Sequence, residues 1–302
     1  MLARRAGENR PEEIGKLFAQ GLWIALFFAA AGILLTYLIG PMVLSASIRS
    51  DIVYDEAMGF LRIRVWGIPF LYLFQMCNAL LVGTNNSRYM KFGFWVQALL
   101  NILLDYLLIY GHWGLPELGF NGAAYASVIA EIAGMLVVLG IVFYKKFHHR
   151  FVLFHHWRYT PPMAGLIFRQ SSPLVAQYLL SILAWLLFYI FIEHKGERQL
   201  AISNAMRNIF GVFGIFTWAF ASTANAMVSN IIGQGKKEQV ISLIVKIMKL
   251  SVFFTMALCV LVNLFPDLFL SIYGRDESFV DEAIPVIRMV TVGIMCMSVA
   301  TV

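Results

Sequence analysis

Val53-Tyr54-Asp55-Glu56-Ala57 returns 226 positions later as Phe279-Val280-Asp281-Glu282-Ala283. The register holds without a gap on both sides. Downstream, Arg62 falls on Arg288 and Gly67-Ile68 on Gly293-Ile294; upstream, Leu44-Ser45 falls on Leu270-Ser271, Arg49 on Arg275 and Gly7 on Gly233. Apolar coincidences come easily in this chain, but aligned acids, arginines and glycines do not, so the chain carries an internal repeat. The chain has 302 residues, of which 60% are apolar and 13% charged, about half the charged share of an ordinary soluble domain. The solvent for such a surface is hydrocarbon, and the 25 Phe, 12 Tyr and 7 Trp suit lipid contact and interfacial belts.

A helix crosses the hydrocarbon in about 20 apolar residues. Eight runs qualify, near 17 to 40, 65 to 84, 92 to 111, 122 to 144, 168 to 192, 201 to 231, 243 to 265, and 283 to the end. The repeat shift spans six of these runs. Six is even, so both copies share one orientation and relate by an axis along the membrane normal. The expected fold is all-α: a polytopic transmembrane bundle of two pseudo-symmetric lobes in parallel repeat, residues 1–150 and 151–302. Two helices precede Gly233 in the second copy and none precedes Gly7 in the first, while the first copy runs on past Ile68 further than the second past Ile294. The expectation is an interior window of about eight of twelve helices, lacking two at the front of the first lobe and two at the back of the second.

Lys and Arg alternate between connections as the positive-inside rule requires. Arg4, Arg5, Arg10 and Lys16, then Arg88 and Lys91, then Lys145, Lys146, Arg150 and Arg158, then Lys236 and Lys237 mark one side. The segment from His112 to Asn121 has neither, and Asp51 to Glu56 and Asp276 to Glu282 are acidic. Lys195 and Arg198 break the pattern. The net charge of +6 is thus orienting charge, which argues against nucleic acid as a partner. The first fifteen residues lack the apolar core of a cleaved signal. The expected location is the plasma (inner) membrane, multi-pass. Cys77, Cys259 and Cys296 lie far apart in apolar stretches and define no disulfide framework.

An ionised side chain at the centre of a spanning helix costs about 2.5 to 3.5 kcal/mol even on the lenient insertion scale. Asp105 and Glu131 occupy such positions. Gln97, Asn101 and Asp105 recur every four residues and share one helix face, and Ser127 lies one turn before Glu131 on the next helix. Counted from their shared outer connection, Asp105 and Ser127 are at one depth, about 9 Å in. A carboxylate, an amide oxygen and a hydroxyl there form a hard oxygen site for sodium or a protonatable acid, with Glu131 as a further cation-binding candidate. The other reading is that Asp105, Asn101 and Glu131 only bond helices together. In the second half, Gln177, Asn204, Arg207 and Asn208 are candidates to line a cavity or hold an anionic group, or to make interhelical hydrogen bonds. No acid stands mid-membrane there.

The remaining patterns carry less. His148-His149 and His155-His156 beside Trp157 fit head-group contact better than metal binding. Gly233-Gln234-Gly235-Lys236-Lys237 lacks both the preceding strand and the spacing of a phosphate loop, and Asn85-Asn86-Ser87 is a glycosylation triplet on the cytoplasmic side of this topology. Gly122-Ala123-Ala124 with Ala126 forms a small-residue surface for close helix approach. No nucleophile has a base beside it and no zinc ligand set exists, so enzyme activity has no support.

The stretches Asn101-Ile102-Leu103-Leu104-Asp105-Tyr106-Leu107-Leu108-Ile109 and Leu118-Gly119-Phe120-Asn121-Gly122-Ala123-Ala124-Tyr125-Ala126-Ser127, with Ala221-Ser222-Thr223-Ala224-Asn225-Ala226-Met227-Val228-Ser229-Asn230-Ile231-Ile232-Gly233-Gln234-Gly235, resemble the multidrug and toxic compound extrusion (MATE) family. The resemblance covers nearly the whole chain, as the third to tenth of twelve helices. It implies two six-helix lobes around a central cavity and alternating-access export of cationic or amphipathic compounds against inward sodium or protons. It implies no cofactor beyond that coupling ion, and, as partners, the bilayer and small organic cations; the expected state is monomeric. Asn101 and Asp105 match the family's fifth-helix Asn and Asp, and Ser127 a sixth-helix hydroxyl. The family's first-helix acid has no position in this chain, and Gln177 stands where some members carry a seventh-helix acid, so the chain alone is not expected to transport. A lipid-linked oligosaccharide flippase shares the plan but calls for a cavity rich in Arg and Lys, where only Arg207 fits. A channel or structural subunit would not need Asp105.

Overall fold

A backbone in hydrocarbon has no water to bond, so its amides must satisfy one another locally, and a helix does this within one segment. The computed structural model describes all residues except Arg49, His156, Gly274, Arg275 and Asp276, and the side chain of Glu277. The Arg49–Arg275 match of the repeat, His156 of the histidine pairs and Asp276 of the second acidic connection therefore lie outside the described residues. Among the described residues there is helix and no strand.

The elements are α1 (Leu2–Gly7), α2 (Pro11–Ser47), α3 (Asp51–Arg64), α4 (Ile68–Gly83), α5 (Met90–Tyr110), α6 (Gly119–Tyr144), α7 (Phe147–Arg150), α8 (Pro161–Glu193), α9 (Glu197–Gly233), α10 (Gln239–Leu264), α11 (Pro266–Leu270) and α12 (Glu277–Ala300). Eight segments among the described residues are long and apolar enough to span: α2, α3 with α4, α5, α6, α8, α9, α10 and α12. These are the eight read from the sequence. Several run past the apolar core, since α2 and α9 have 37 residues each, about 55 Å against about 30 Å of hydrocarbon. The acidic stretch from Asp51, read as a connection, is helical too: α3 carries its charges along a helix joined to α4 by the 3-10 turn Val65–Gly67.

The chain forms two compact units, Met1–Ile167 and Phe168–Val302. The segment after α7 packs on α2. Phe151 and Leu153 join the core of Ile14, Phe18, Leu22, Phe74, Leu80, Leu81, Met135 and Val138. Trp23 Nε1 donates to Trp157 O at 2.9 Å. A Cβ on Gly15 would lie 2.5 Å from Phe151 O and Val152 O, so only glycine lets this strap touch α2. Val152 itself takes φ +53°, a conformation costly for a β-branched residue.

The second unit has its own core, from Ile202, Met206, Ile209 and Phe213 of α9, Cys259 and Val262 of α10, and Phe279, Ala283, Ile287 and Ile294 of α12. Leu179, Leu180, Ile182 and Phe191 of α8 are exposed, as suits a surface solvated by lipid. Cys77, Cys259 and Cys296 are free thiols.

Candidate functional site

The first unit's polar residues meet where α5 and α6 approach closely. A Cβ on Gly134 would lie 3.2 Å from Gly93 O and 3.1 Å from Gln97 Cβ, and one on Gly122 would lie 2.6 Å from Leu108 O. Glycines at both ends of the crossing thus allow backbone contact along α5 and α6. Asn101 then faces α6, and its Nδ2 donates to Ser127 Oγ at 3.4 Å. Beside this contact opens a cleft of about 410 Å³ whose polar lining is Arg64, Gln75, Gln97, Asn101, Ser127 and Glu131, with Phe74 and Phe94 among its apolar walls.

Asp105 lies one turn beyond Asn101, outside that lining. The direct partner of Ser127 is therefore Asn101 rather than Asp105. Asp105 Oδ1 is buried with no hydrogen-bond partner among the described residues. A buried oxygen in that condition is normally satisfied by protein, water or an ion.

Glu131 is 5% exposed and has a partner that the sequence reading missed. Arg64 closes a two-pronged bridge on it, Nη1 to Oε2 at 2.9 Å and Nη2 to Oε1 at 2.6 Å. A Cβ on Gly67 would collide with both Glu131 Oε2 and Arg64 Nη1. The available signal was that an acid inside a span demands a cation at its own depth, and Arg64 flanks the neighbouring apolar run.

The second unit gathers fewer of its candidates. Arg207 and Asn208 line a cleft of about 580 Å³ with Trp185, Tyr189, Phe210 and Trp218. The Arg207 guanidinium lies 5.6 Å from the centre of the Tyr189 ring. Gln177 and Asn204 are exposed and outside that lining. A polar seam joins α10 to α12: Asn263 Nδ2 donates to Thr291 Oγ1 at 3.1 Å, while the buried Ser251 and Thr255 hydroxyls find no partner among the described residues. The break in the charge alternation has a counterweight, since Arg198 Nε donates to Glu282 Oε2 at 2.9 Å. The Gly233–Lys237 segment is the turn closing α9, with Gly235 at φ +80°. No cluster of three or more His, Cys, Asp and Glu able to hold a metal occurs among the described residues.

With this geometry in place, comparison with known proteins gives one consistent answer. The MatE family model matches residues 1–107 and 173–302, most of the chain and a part of each unit. The chain belongs to the MatE family. Among curated MatE relatives, it is 23% identical over 274 residues to "Probable multidrug resistance protein NorM" of Rhizobium meliloti, and 25% identical over 277 residues to the protein of that name from Synechocystis. Each alignment takes in 90% of this chain, which spans 58% and 59% of the relatives' length.

Solved MATE structures share the fold. An outward-facing multidrug resistance MATE transporter superposes with TM-score 0.85 at 16% identity, over 99% of this chain and 69% of its own. MATE in complex with MaL6 gives 0.84 at 17%, over 99% and 69%. The chain is thus a multi-pass integral membrane protein with the all-helical fold of MATE transporters, whose members are transporters and not enzymes.

Proposed function

We propose that the protein carrying this chain is a secondary active antiporter that exports cationic or amphipathic compounds by alternating access, driven by sodium or protons, as a monomer in the plasma (inner) membrane. The observation that carries the coupling reading is the Asn101–Ser127 contact at 3.4 Å beside a buried, unpartnered Asp105 oxygen. An ionisable oxygen left without a protein partner within a span is held ready for a cation or a proton. Asn101 and Ser127 add neutral oxygens that suit a hard ion without fixing its charge. On this reading Asp105, Asn101 and Ser127 form the cation site, Gln97 lines the approach, and Glu131, the fourth cation-binding candidate of the sequence, has both oxygens on Arg64. Arg207 and Asn208 line a substrate surface, with Gln177 and Asn204 as outlying members. The flippase alternative calls for several cations in a cavity; the first cleft has Arg64, already bridged to Glu131, and the second has Arg207.

The test is efflux of a cationic dye from liposomes holding the protein expressed from its full open reading frame, under an imposed sodium or proton gradient, for wild type and Asp105→Asn. The expected result is gradient-driven efflux that the variant loses while staying monodisperse. Unchanged efflux in Asp105→Asn removes the site. No efflux under either gradient removes the antiporter.

A further inference from the structure

The first cleft is lined by one carboxylate, Glu131, while a second, Asp105, lies one turn beyond Asn101 and outside the lining, and the two are treated differently. Asn101 meets Ser127, and Glu131 follows Ser127 by one turn on the same face of α6. Placed there, with Gln75 and Gln97 also on the lining, a free Glu131 would be a stronger cation ligand than any of its neutral neighbours. Arg64 prevents this. We propose that Arg64 is a specificity-determining residue of the cleft, which by occupying both oxygens of Glu131 withholds that carboxylate from cations and leaves the coupling ion to Asp105. The proposal rests on the coupled-antiport reading.

Three observations support it. The bridge uses both guanidinium nitrogens and both carboxylate oxygens, at 2.9 and 2.6 Å, a fork that a point-charge cation cannot reproduce. Arg stays protonated at any physiological pH, so the bridge does not open by titration of its cation. The backbone is cut to fit: Arg64 ends α3, and Gly67 in the turn that follows has no room for a side chain against either partner.

The fit is also particular to this unit. In the second copy of the repeat Val290 stands at the position of Arg64 and Gly293 at that of Gly67. The glycine is part of the repeat, whereas the bridge above it belongs to the first unit alone.

The test is labelling with dicyclohexylcarbodiimide, which traps protonated carboxyls in membranes, read by peptide mass mapping on the full-length protein in liposomes. In wild type Asp105 is labelled and Glu131 stays at background. In Arg64→Gln, Glu131 rises to the level of Asp105, and bound sodium-22 that survives Asp105→Asn is lost with Glu131→Gln. Wild-type Glu131 labelled as strongly as Asp105 overturns the proposal, and that arm needs no variant to fold. So does a monodisperse Arg64→Gln in which Glu131 stays at background. Asp105 labelling that neither sodium nor alkaline pH suppresses overturns the coupling reading instead, while the bridge is judged on Glu131.

Discussion

Gln20 holds Thr160 at the entrance to α8: its Oε1 accepts the Thr160 N–H at 2.9 Å, and its Nε2 donates to Arg158 O at 2.8 Å. Gln20 is 1% exposed, so its own amide depends on these two bonds. Thr160 in turn accepts the Ala164 N–H at 3.0 Å, which starts α8. One buried amide therefore fixes both the strap after α7 and the origin of the next spanning helix.

Gln20→Leu removes both bonds, to the Thr160 N–H and to the Arg158 carbonyl. The expected loss is about 2 kcal/mol. A lowered thermal midpoint in detergent, with faster proteolysis between Phe151 and Thr160, checks it. An unchanged midpoint would mean the strap is held by its aromatic contacts, Phe18 with Phe154 and Trp23 with Trp157.

The fold was legible where single runs decide it and illegible where distant residues do. All eight spans follow from apolar length, because hydrocarbon forces helix on any such run. α3 escaped because Asp51, Asp55, Glu56, Arg62 and Arg64 keep its composition polar, although Asp51, Asp55 and Arg62 share one face of the helix. The α5 stripe was legible because Gln97, Asn101 and Asp105 lie one turn apart in sequence. The Arg64–Glu131 bridge was not, since its partners are 67 positions apart and Arg64 fell between a connection and a span. The docking of the strap on α2 was illegible for a similar reason: Gln20 and Thr160 are 140 positions apart, and no local pattern announces their contact.

Gly67 should not tolerate alanine. Gly67→Ala drives a methyl into Glu131 and Arg64. Separating them leaves a nearly buried charge uncompensated, a loss of up to about 3 to 5 kcal/mol. A lowered thermal midpoint in detergent is the expected outcome. An unchanged midpoint would show that the bridge shifts to make room for the methyl.

Arg198 and Glu282 join α9 to α12, with Arg198 Nη2 also donating to Ser278 Oγ at 2.6 Å. Both charged side chains are substantially exposed, so water and salt screen them and the pair is worth no more than about 1 kcal/mol. A double-mutant cycle of Arg198→Ala and Glu282→Ala should give a coupling energy below that figure, shrinking as salt is raised. A large, salt-independent coupling would show that the pair is shielded in the assembled protein.

Glu8 supplies a pH dependence. It lies between α1 and α2, outside the spans, and its carboxyl is held below the ordinary carboxylate range, chiefly by the hydrogen bond from Arg5 and further by Arg4 and Arg10. Burial opposes the shift. A depressed pKa means the folded state favours the ionised form. The contribution is therefore fully present above the ordinary Glu range, and it is lost as pH falls through the lowered value. Glu13 bridges Arg5 at 2.8 Å and Arg10 at 2.9 Å, so the cluster clasps α1 to the start of α2. Amide hydrogen exchange of Leu2–Gly7, corrected for the intrinsic effect of pH, should show protection that weakens on acidification below the ordinary carboxylate range. Glu8→Gln should lower that protection at neutral pH and flatten its pH profile. A profile identical to wild type would assign the clasp to Glu13 and to the packing of Leu2 and Ala3 against Gly83.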